Sequence, residues 1–295
     1  MEITLEQSTL ENIPQFEVDV KPNIVVEKPR VDYKKAIRDF YKTEVVEFTL
    51  AVGCPVQCQR YCPQEVFMKK YGNNSRMMSF DIFKQILSHM PTSVDVEFSG
   101  FCEPFVNPDF VRMAEYAYYN GYKLHVFTTL HGAKTSDVER LLNLEYSQFC
   151  LHLRDGQVVD FPLTTEYEHN VFRVIEGLPN VTFCLMNELF TTNNRENVTR
   201  GFLPQSKHVG FCTKFVKPQF IVLPNGSVQL CCMDFGLQHT VGNLLNEDYA
   251  NIKKRFKAKK GFYPLCPYCS FSVPYARHLY RQMVTKAKKA AYRII

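Results

Sequence analysis

The chain has 295 residues, 45% of them hydrophobic and 22% charged, with a formal net charge of +5, an ordinary globular composition long enough for one large α/β domain with a small appendage. No apolar run approaches the roughly 18 residues of a membrane span, and Met1–Asp19 lack the apolar core of a signal peptide, so the expectation is a soluble, cytoplasmic protein with no membrane partner. The 11 cysteines do not suit a small disulfide scaffold at this length. Their odd number and close spacing in two places point to metal ligation in a reducing compartment.

Pro14, Pro22 and Pro29 interrupt the first 44 residues, which read as an extended arm leading to a short helix near Tyr33–Tyr41. Val45–Val52 then reads as a buried strand and Cys54–Cys62 as a loop. Ser79–Met90 has helical spacing with Ser79 as its cap. Val94–Ser99 is a second strand, followed by a loop through Pro104 and a helix from Pro108 to Asn120. Lys123–Thr128 is a third strand, Thr135–Leu142 a helix opened by Thr135 or Ser136, and Tyr146–Leu153 a fourth strand. His169–Glu176 is helical and Val181–Met186 strand-like. This alternation predicts βα units and a mainly parallel sheet, closed or part-closed as a barrel.

The character changes after about Ser206. Gln219–Leu223, the turn Pro224-Asn225-Gly226 and Ser227–Cys232 form a hairpin signature. A charged helix around Glu247–Lys259, then Cys266-Pro-Tyr-Cys269 and a basic helical tail follow. The expected organisation is an extension over residues 1–44, a core over 45–205, a second module over 206–270 and a tail over 271–295. Residues 253–295 hold 12 Lys and Arg and no Asp or Glu. Such asymmetry suits either a solvated helix face or an anionic partner.

Cys54-Pro-Val-Gln-Cys58-Gln-Arg-Tyr-Cys62 places three thiols on one loop just after a strand. Three cysteines can ligate three irons of a 4Fe–4S cube and leave the fourth open. Structural zinc normally takes four protein ligands, and no histidine lies in this loop. The segment resembles the radical S-adenosylmethionine (radical SAM) superfamily, whose Cys-x3-Cys-x2-Cys loop follows the first strand with an aromatic before the last cysteine. Tyr61 supplies that aromatic, but three residues rather than two separate Cys58 from Cys62. Glu97-Phe-Ser-Gly100-Phe-Cys102-Glu103-Pro104 resembles the superfamily's Gly-Gly-Glu-Pro motif, with Cys102 standing where glycine is common. Phe127-Thr128-Thr129 loosely resembles its Thr-Asn-Gly stretch. The resemblance implies a partial (β/α)6 TIM-type barrel, a cluster on Cys54, Cys58 and Cys62, and S-adenosylmethionine (SAM) contacts from Tyr61, Gly100, Glu103, Pro104 and Thr128. A carboxylate such as Glu103 is suited to an ammonium group. All three segments fall at the ends of strands, where barrel active sites lie.

Cys212, Gly226 and Cys231 have the spacing that opens the SPASM/twitch domains appended to many radical SAM enzymes. The resemblance implies a small β-hairpin-plus-helix module with an auxiliary 4Fe–4S cluster on Cys212, Cys231, Cys266 and Cys269, of the shorter twitch kind. Cys232 is an alternative ligand to Cys231, and zinc is the alternative metal at this site. Cys150 and Cys184 sit in apolar strands and read as core residues.

By the same resemblance the chain is an enzyme that cleaves SAM to a 5′-deoxyadenosyl radical, which abstracts hydrogen from a small molecule. A sugar- or cyclitol-like alcohol undergoing net oxidation is one substrate class, anionic if the basic end contributes, and flavodoxin or ferredoxin would donate electrons. Modification of a ribosomal peptide is the second reading. A non-enzymatic zinc- or nucleic-acid-binding protein is the third, suggested by Tyr275, Tyr280 and Tyr292 in the basic tail. Leu279 and Met283 at helical spacing suit docking of that tail against the core instead.

Overall fold

A computed structural model describes residues 44–58, 62–156, 159–185, 210–211, 218–258 and 273–274. In chain order these form β1 (Glu44–Phe48), β2 (Gln57–Cys58), α1 (Gln64–Tyr71), α2 (Phe80–Ser88), β3 (Val94–Phe98), a 3-10 turn (Pro104–Val106), α3 (Phe110–Tyr119) and β4 (Leu124–Thr128). They continue with α4 (Thr135–Leu141), β5 (Tyr146–Leu153), β6 (Val159–Asp160), α5 (Thr165–Gly177), β7 (Val181–Leu185), β8 (Gly210–Phe211) and β9 (Gln219–Val222). The last elements are β10 (Ser227–Gln229), β11 (Thr240–Asn243), α6 (Tyr249–Ala258) and β12 (Val273–Pro274). The expected helix at 33–41 and the basic tail from residue 275 lie outside the described residues.

Strands of five residues with alternating character have two different faces. Val46 and Phe48 of β1, Val96 and Phe98 of β3, and Leu124 and Val126 of β4 are fully buried in one core with residues from the helices, including Phe83, Met113 and Ile252. Each such side chain contributes about 1.5–3 kcal/mol of hydrophobic stabilisation. The alternate positions are polar yet also buried: Glu47, Asp95, Glu97 and His125. They are held by hydrogen bonds, His125 Nε2 lying 2.8 Å from Asp95 Oδ2 and Ser99 Oγ donating to Glu47 Oε1 at 2.6 Å.

The main sheet runs β11-β10-β9-β1-β3-β4-β5-β7. Every pairing from β9 to β7 is parallel, and β10 is antiparallel to both neighbours. The mixed α/β architecture and parallel sheet are as the sequence predicts; among the described residues the sheet is open, with β11 and β7 at its edges. The first strand of the hairpin does more than the sequence indicates. It lies beside β1 in parallel register, Val46 opposite Phe220 and Phe48 opposite Val222, so the hairpin extends the main sheet. Helix α6 follows it there: Tyr249 N donates to His89 O at 2.9 Å, Tyr249 Oη to Glu44 Oε2 at 3.0 Å, and Lys253 pairs with Glu44.

Two helix starts differ from their sequence reading. Helix α4 is capped at Lys134 with no side-chain cap; Glu166 Oε1 instead accepts from Thr135 N at 3.1 Å, a partner from another helix that local sequence does not reveal. Helix α5 begins at Thr165 rather than His169 because Thr164 Oγ1 accepts from Tyr167 N at 3.1 Å. Helix α2 does start after Ser79, whose side chain accepts from Ile82 N at 3.3 Å. Helix α1, directly after Cys62, has no counterpart in the sequence reading.

Candidate active site

The site is built at the C-terminal ends of the parallel strands, the end at which open α/β sheets and barrels carry their chemistry. Beyond β1 the chain is pinned on both sides: Thr49 N donates to Val222 O at 2.9 Å and Val52 N to Arg76 O at 2.8 Å. Asn107, buried, donates from Nδ2 to Leu50 O at 3.0 Å and to Met78 O at 2.8 Å. The cysteine loop therefore leaves a fixed base.

Within the loop, Cys58 lies in β2, which pairs antiparallel with β6 (Cys58 opposite Val159). The segment after β5 thus clasps the loop, itself held by Arg154, which donates to Asp160 Oδ1 at 2.6 Å and to Phe161 O at 2.7 Å. Cys62 N donates to Cys58 O at 3.0 Å. This hydrogen bond joins the second and third cysteines of the loop directly.

Donors converge on the sulfurs. Glu103 N points at Cys54 Sγ at 3.4 Å, and Gln64 Nε2 at Cys62 Sγ at 3.1 Å. The Cys102 thiol beside Cys54 holds it below the ordinary thiol range; burial opposes this and the Glu103 N–H assists. The same contact, with burial, pushes Cys102 well above that range. A thiolate is the ligating form of cysteine, and hydrogen bonds to cluster sulfurs are part of how such sites are tuned. The donor set therefore suits a thiolate-bound cluster. Among the described residues no group of three His, Cys, Asp or Glu side chains gathers as the ligands of one metal ion. A 4Fe–4S cube places each thiolate on a separate iron.

The residues expected to contact SAM fall in two places. Gly100 has φ +67°, and a Cβ there would collide with Thr49, whose Cα and N would both be 2.9 Å away; only glycine lets the turn after β3 press on the end of β1. Glu103, 7% exposed, uses its carboxylate internally. Thr128 Oγ1 donates to Oε1 at 2.5 Å, and Thr129 donates to Oε2 from N at 2.7 Å and Oγ1 at 2.8 Å. Burial raises the Glu103 pKa against these bonds. Glu103 and Thr128 are thus brought together, and Pro104 opens the 3-10 turn beside them. Tyr61 lies outside the described residues. Sequence reasoning missed Gln64, whose only signal is that it stands two residues after Cys62, and gave Thr129 and Asn107 no individual role although both lie in motif-like stretches.

In the second cysteine region Gly226, φ +77°, turns the hairpin. Cys231 follows β10 and is partly buried against the main core. Cys232, its neighbour, instead packs with Cys62 against a separate cluster containing Phe67, Phe101 and Phe235. The two cysteine regions thus border one apolar layer, in which the Phe101 and Phe235 rings are 4.2 Å apart. Asp234, fully buried, accepts from Gln238 N at 2.9 Å and His239 N at 2.8 Å and fixes the turn after Cys232. Cys212, Cys266 and Cys269 lie outside the described residues. Their chain neighbours are joined, however: β8 pairs antiparallel with β12, Phe211 opposite Val273.

Residues 212–270 match the family model of SPASM, an iron–sulfur cluster-binding domain. The structure is similar to that of BtrN in complex with AdoMet and 2-DOIA: TM-score 0.57 at 16% identity, covering 74% of this chain and 85% of BtrN. The chain therefore shares its fold with BtrN and carries a SPASM match over residues 212–270. BtrN in an open conformation is also similar, with TM-score 0.52 and 16% identity over 77% of this chain and 92% of that one. SuiB of Streptococcus suis bound to the precursor peptide SuiA gives TM-score 0.49 and 12% identity over 81% of this chain and 73% of SuiB. The chain matches none of the curated proteins. The SPASM match begins at Cys212 and ends one residue after Cys269, so it spans the whole second cysteine set. No helix among the described residues is long and apolar enough to cross a membrane.

Proposed function

We propose that the chain is a radical SAM enzyme that binds a 4Fe–4S cluster through Cys54, Cys58 and Cys62 and oxidises a small alcohol. The observation that carries this reading is the cysteine loop at the C-terminal end of β1 with N–H donors aimed at two of its sulfurs. When bound, the cluster supplies the one electron that splits SAM into methionine and a 5′-deoxyadenosyl radical, which takes a hydrogen atom from the substrate. The chain's own residues do the rest. The β2–β6 clasp and Gln64 orient the thiols, Gly100 lets the loop after β3 approach β1, and Glu103 locks that loop to the end of β4 through Thr128 and Thr129.

Net oxidation of an alcohol needs a further one-electron acceptor after hydrogen abstraction. Cys212, Cys231, Cys266 and Cys269 would hold one within the SPASM domain, and the β8–β12 pairing ties the segment before Cys212 to that after Cys269. An external flavodoxin- or ferredoxin-type donor would supply the initiating electron. Cys62 and Cys232 both border the apolar layer that contains Phe67, Phe101 and Phe235.

The test is iron and sulfide content with EPR on anaerobically reconstituted protein, with and without SAM. About eight irons and a reduced signal that shifts with SAM are expected. A signal indifferent to SAM, or none, would overturn the reading. Formation of 5′-deoxyadenosine with a cyclitol, a nucleotide sugar or a peptide then separates substrate classes; stimulation by the peptide alone would replace small-alcohol oxidation with peptide modification.

A further inference from the structure

We propose that Gln64 is a positioning residue that holds the first cysteine loop closed and sets the reduction potential of the cluster bound there, an inference that rests on the reading above. A primary amide has two N–H donors and one carbonyl acceptor, and in Gln64 both ends are engaged by different segments. Oε1 accepts from Cys54 N at 3.4 Å; Nε2 donates to Cys62 Sγ at 3.1 Å and to Phe101 O. One side chain thus joins the first and last cysteines of the loop to each other and to the turn after β3. That turn leads through Cys102 to Glu103, whose N–H points at Cys54 Sγ. The arrangement is a ring of contacts around the loop with Gln64 as its common member.

The origin of this side chain is itself rigid. Gln64 is the first residue of α1, and α1 is anchored by Phe67 and Tyr71, both buried in the aromatic cluster. The Phe67 ring lies 5.0 Å from Phe101 in an edge contact. The same Phe101 whose carbonyl Gln64 grips is therefore packed against the helix that presents Gln64. Rotation of the amide away from Cys62 would leave the Phe101 carbonyl and the Cys54 N–H without this partner.

A donor on a ligating sulfur favours the more negatively charged, reduced form of the cluster, so it raises the potential; second-shell donors of this kind also fix ligand geometry. Gln64→Glu keeps the shape and the acceptor but replaces the donor by oxygen. Gln64→Leu keeps the bulk and removes both.

The experiment uses the full chain, reconstituted anaerobically, with EPR-monitored redox titration of the signal that responds to SAM, iron content, and thermal unfolding. Both variants should unfold near the wild-type temperature. Their SAM-responsive signal should titrate at a more negative potential, further for Gln64→Glu, and should need more SAM for the half-maximal shift. Loss of that signal alone, with the remaining iron and the unfolding temperature kept, also supports the inference, since the loop is then no longer held. An unchanged potential overturns it, whether or not the unfolding temperature falls, and a fall alone marks a structural role only. If wild type itself shows no SAM-responsive signal, the functional reading fails first, and the two failures are distinct.

Discussion

The cysteine loop at 54–62 and the hairpin that leads to Cys231 are held in place by different means. The first set is local. Its cysteines share one loop, and what remains is to hold that loop: the hydrogen bond from Cys62 to Cys58, the β2–β6 pairing, and the Gln64 amide. The second set expected from the sequence is spread over much of the last third of the chain, and the elements around it are placed by remote pairings: β9 registering against β1, Gly226 turning the hairpin, and β8 meeting β12. Loop closure costs more for the distant set. Short-range hydrogen bonds thus hold the first cysteine loop and sheet registration holds the hairpin that leads to Cys231, and damage to each should be separable.

The largest expected effect breaks the first centre alone. In the Cys54/Cys58/Cys62→Ala variant the SAM-responsive EPR signal should vanish and iron fall from about eight to about four per chain. Complete loss of iron would show that the second centre depends on the first. The reciprocal variant, Cys231→Ala, should lose the auxiliary signal and keep the SAM-responsive one; retention of both would move the ligand to Cys232.

Two glycines sharpen the comparison at the level of the backbone. Gly100→Ala meets Thr49 backbone atoms at 2.9 Å and should lower stability by about 2–4 kcal/mol in denaturant titration, since neither strand end can yield. Gly226→Ala meets chiefly the Leu245 side chain, Cγ at 2.5 Å, which can rotate, and should cost about 1–2 kcal/mol through its positive φ. Equal losses would argue that the hairpin is as rigidly registered as β1 and β3.

The smallest effect concerns pH. His152 has its ring 6.0 Å from Phe127, and burial lowers its pKa from 6.5 to about 4. The unfolded chain then binds this proton more readily than the folded one, so stability should fall as pH drops from about 6.5 toward 4. His152→Gln should flatten that part of the stability profile; an unchanged slope would assign it to other groups.

Most of the parallel strands were legible in the sequence because each alternates apolar and polar residues over its length and is followed by a periodic helix. The polar halves of that alternation, Glu47, Asp95 and Glu97, are buried with partners as remote as His125 and Ser99, which no single strand reveals. The second module was legible too: the spacing of Cys212, Gly226 and Cys231 falls within the SPASM match over residues 212–270. The hydrogen bond from Cys62 N to Cys58 O was not legible, because spacing does not say which backbone groups pair. Gln64 was invisible for a similar reason: a glutamine has no pattern of its own, and its three partners come from residues 54, 62 and 101.

By itself, then, the amino-acid sequence determined most of the main strands and helices, though not α1, and which thiols are close enough in the chain to share a loop, because periodicity and spacing are local. The tertiary structure decided that the hairpin joins β1 in one sheet, that Glu103 is spent on Thr128 and Thr129, and that two cysteine regions border one aromatic layer. These are contacts between residues tens to hundreds of positions apart. Their selection rests on which buried polar groups find partners and which apolar faces find cover, and neither is encoded in any single segment.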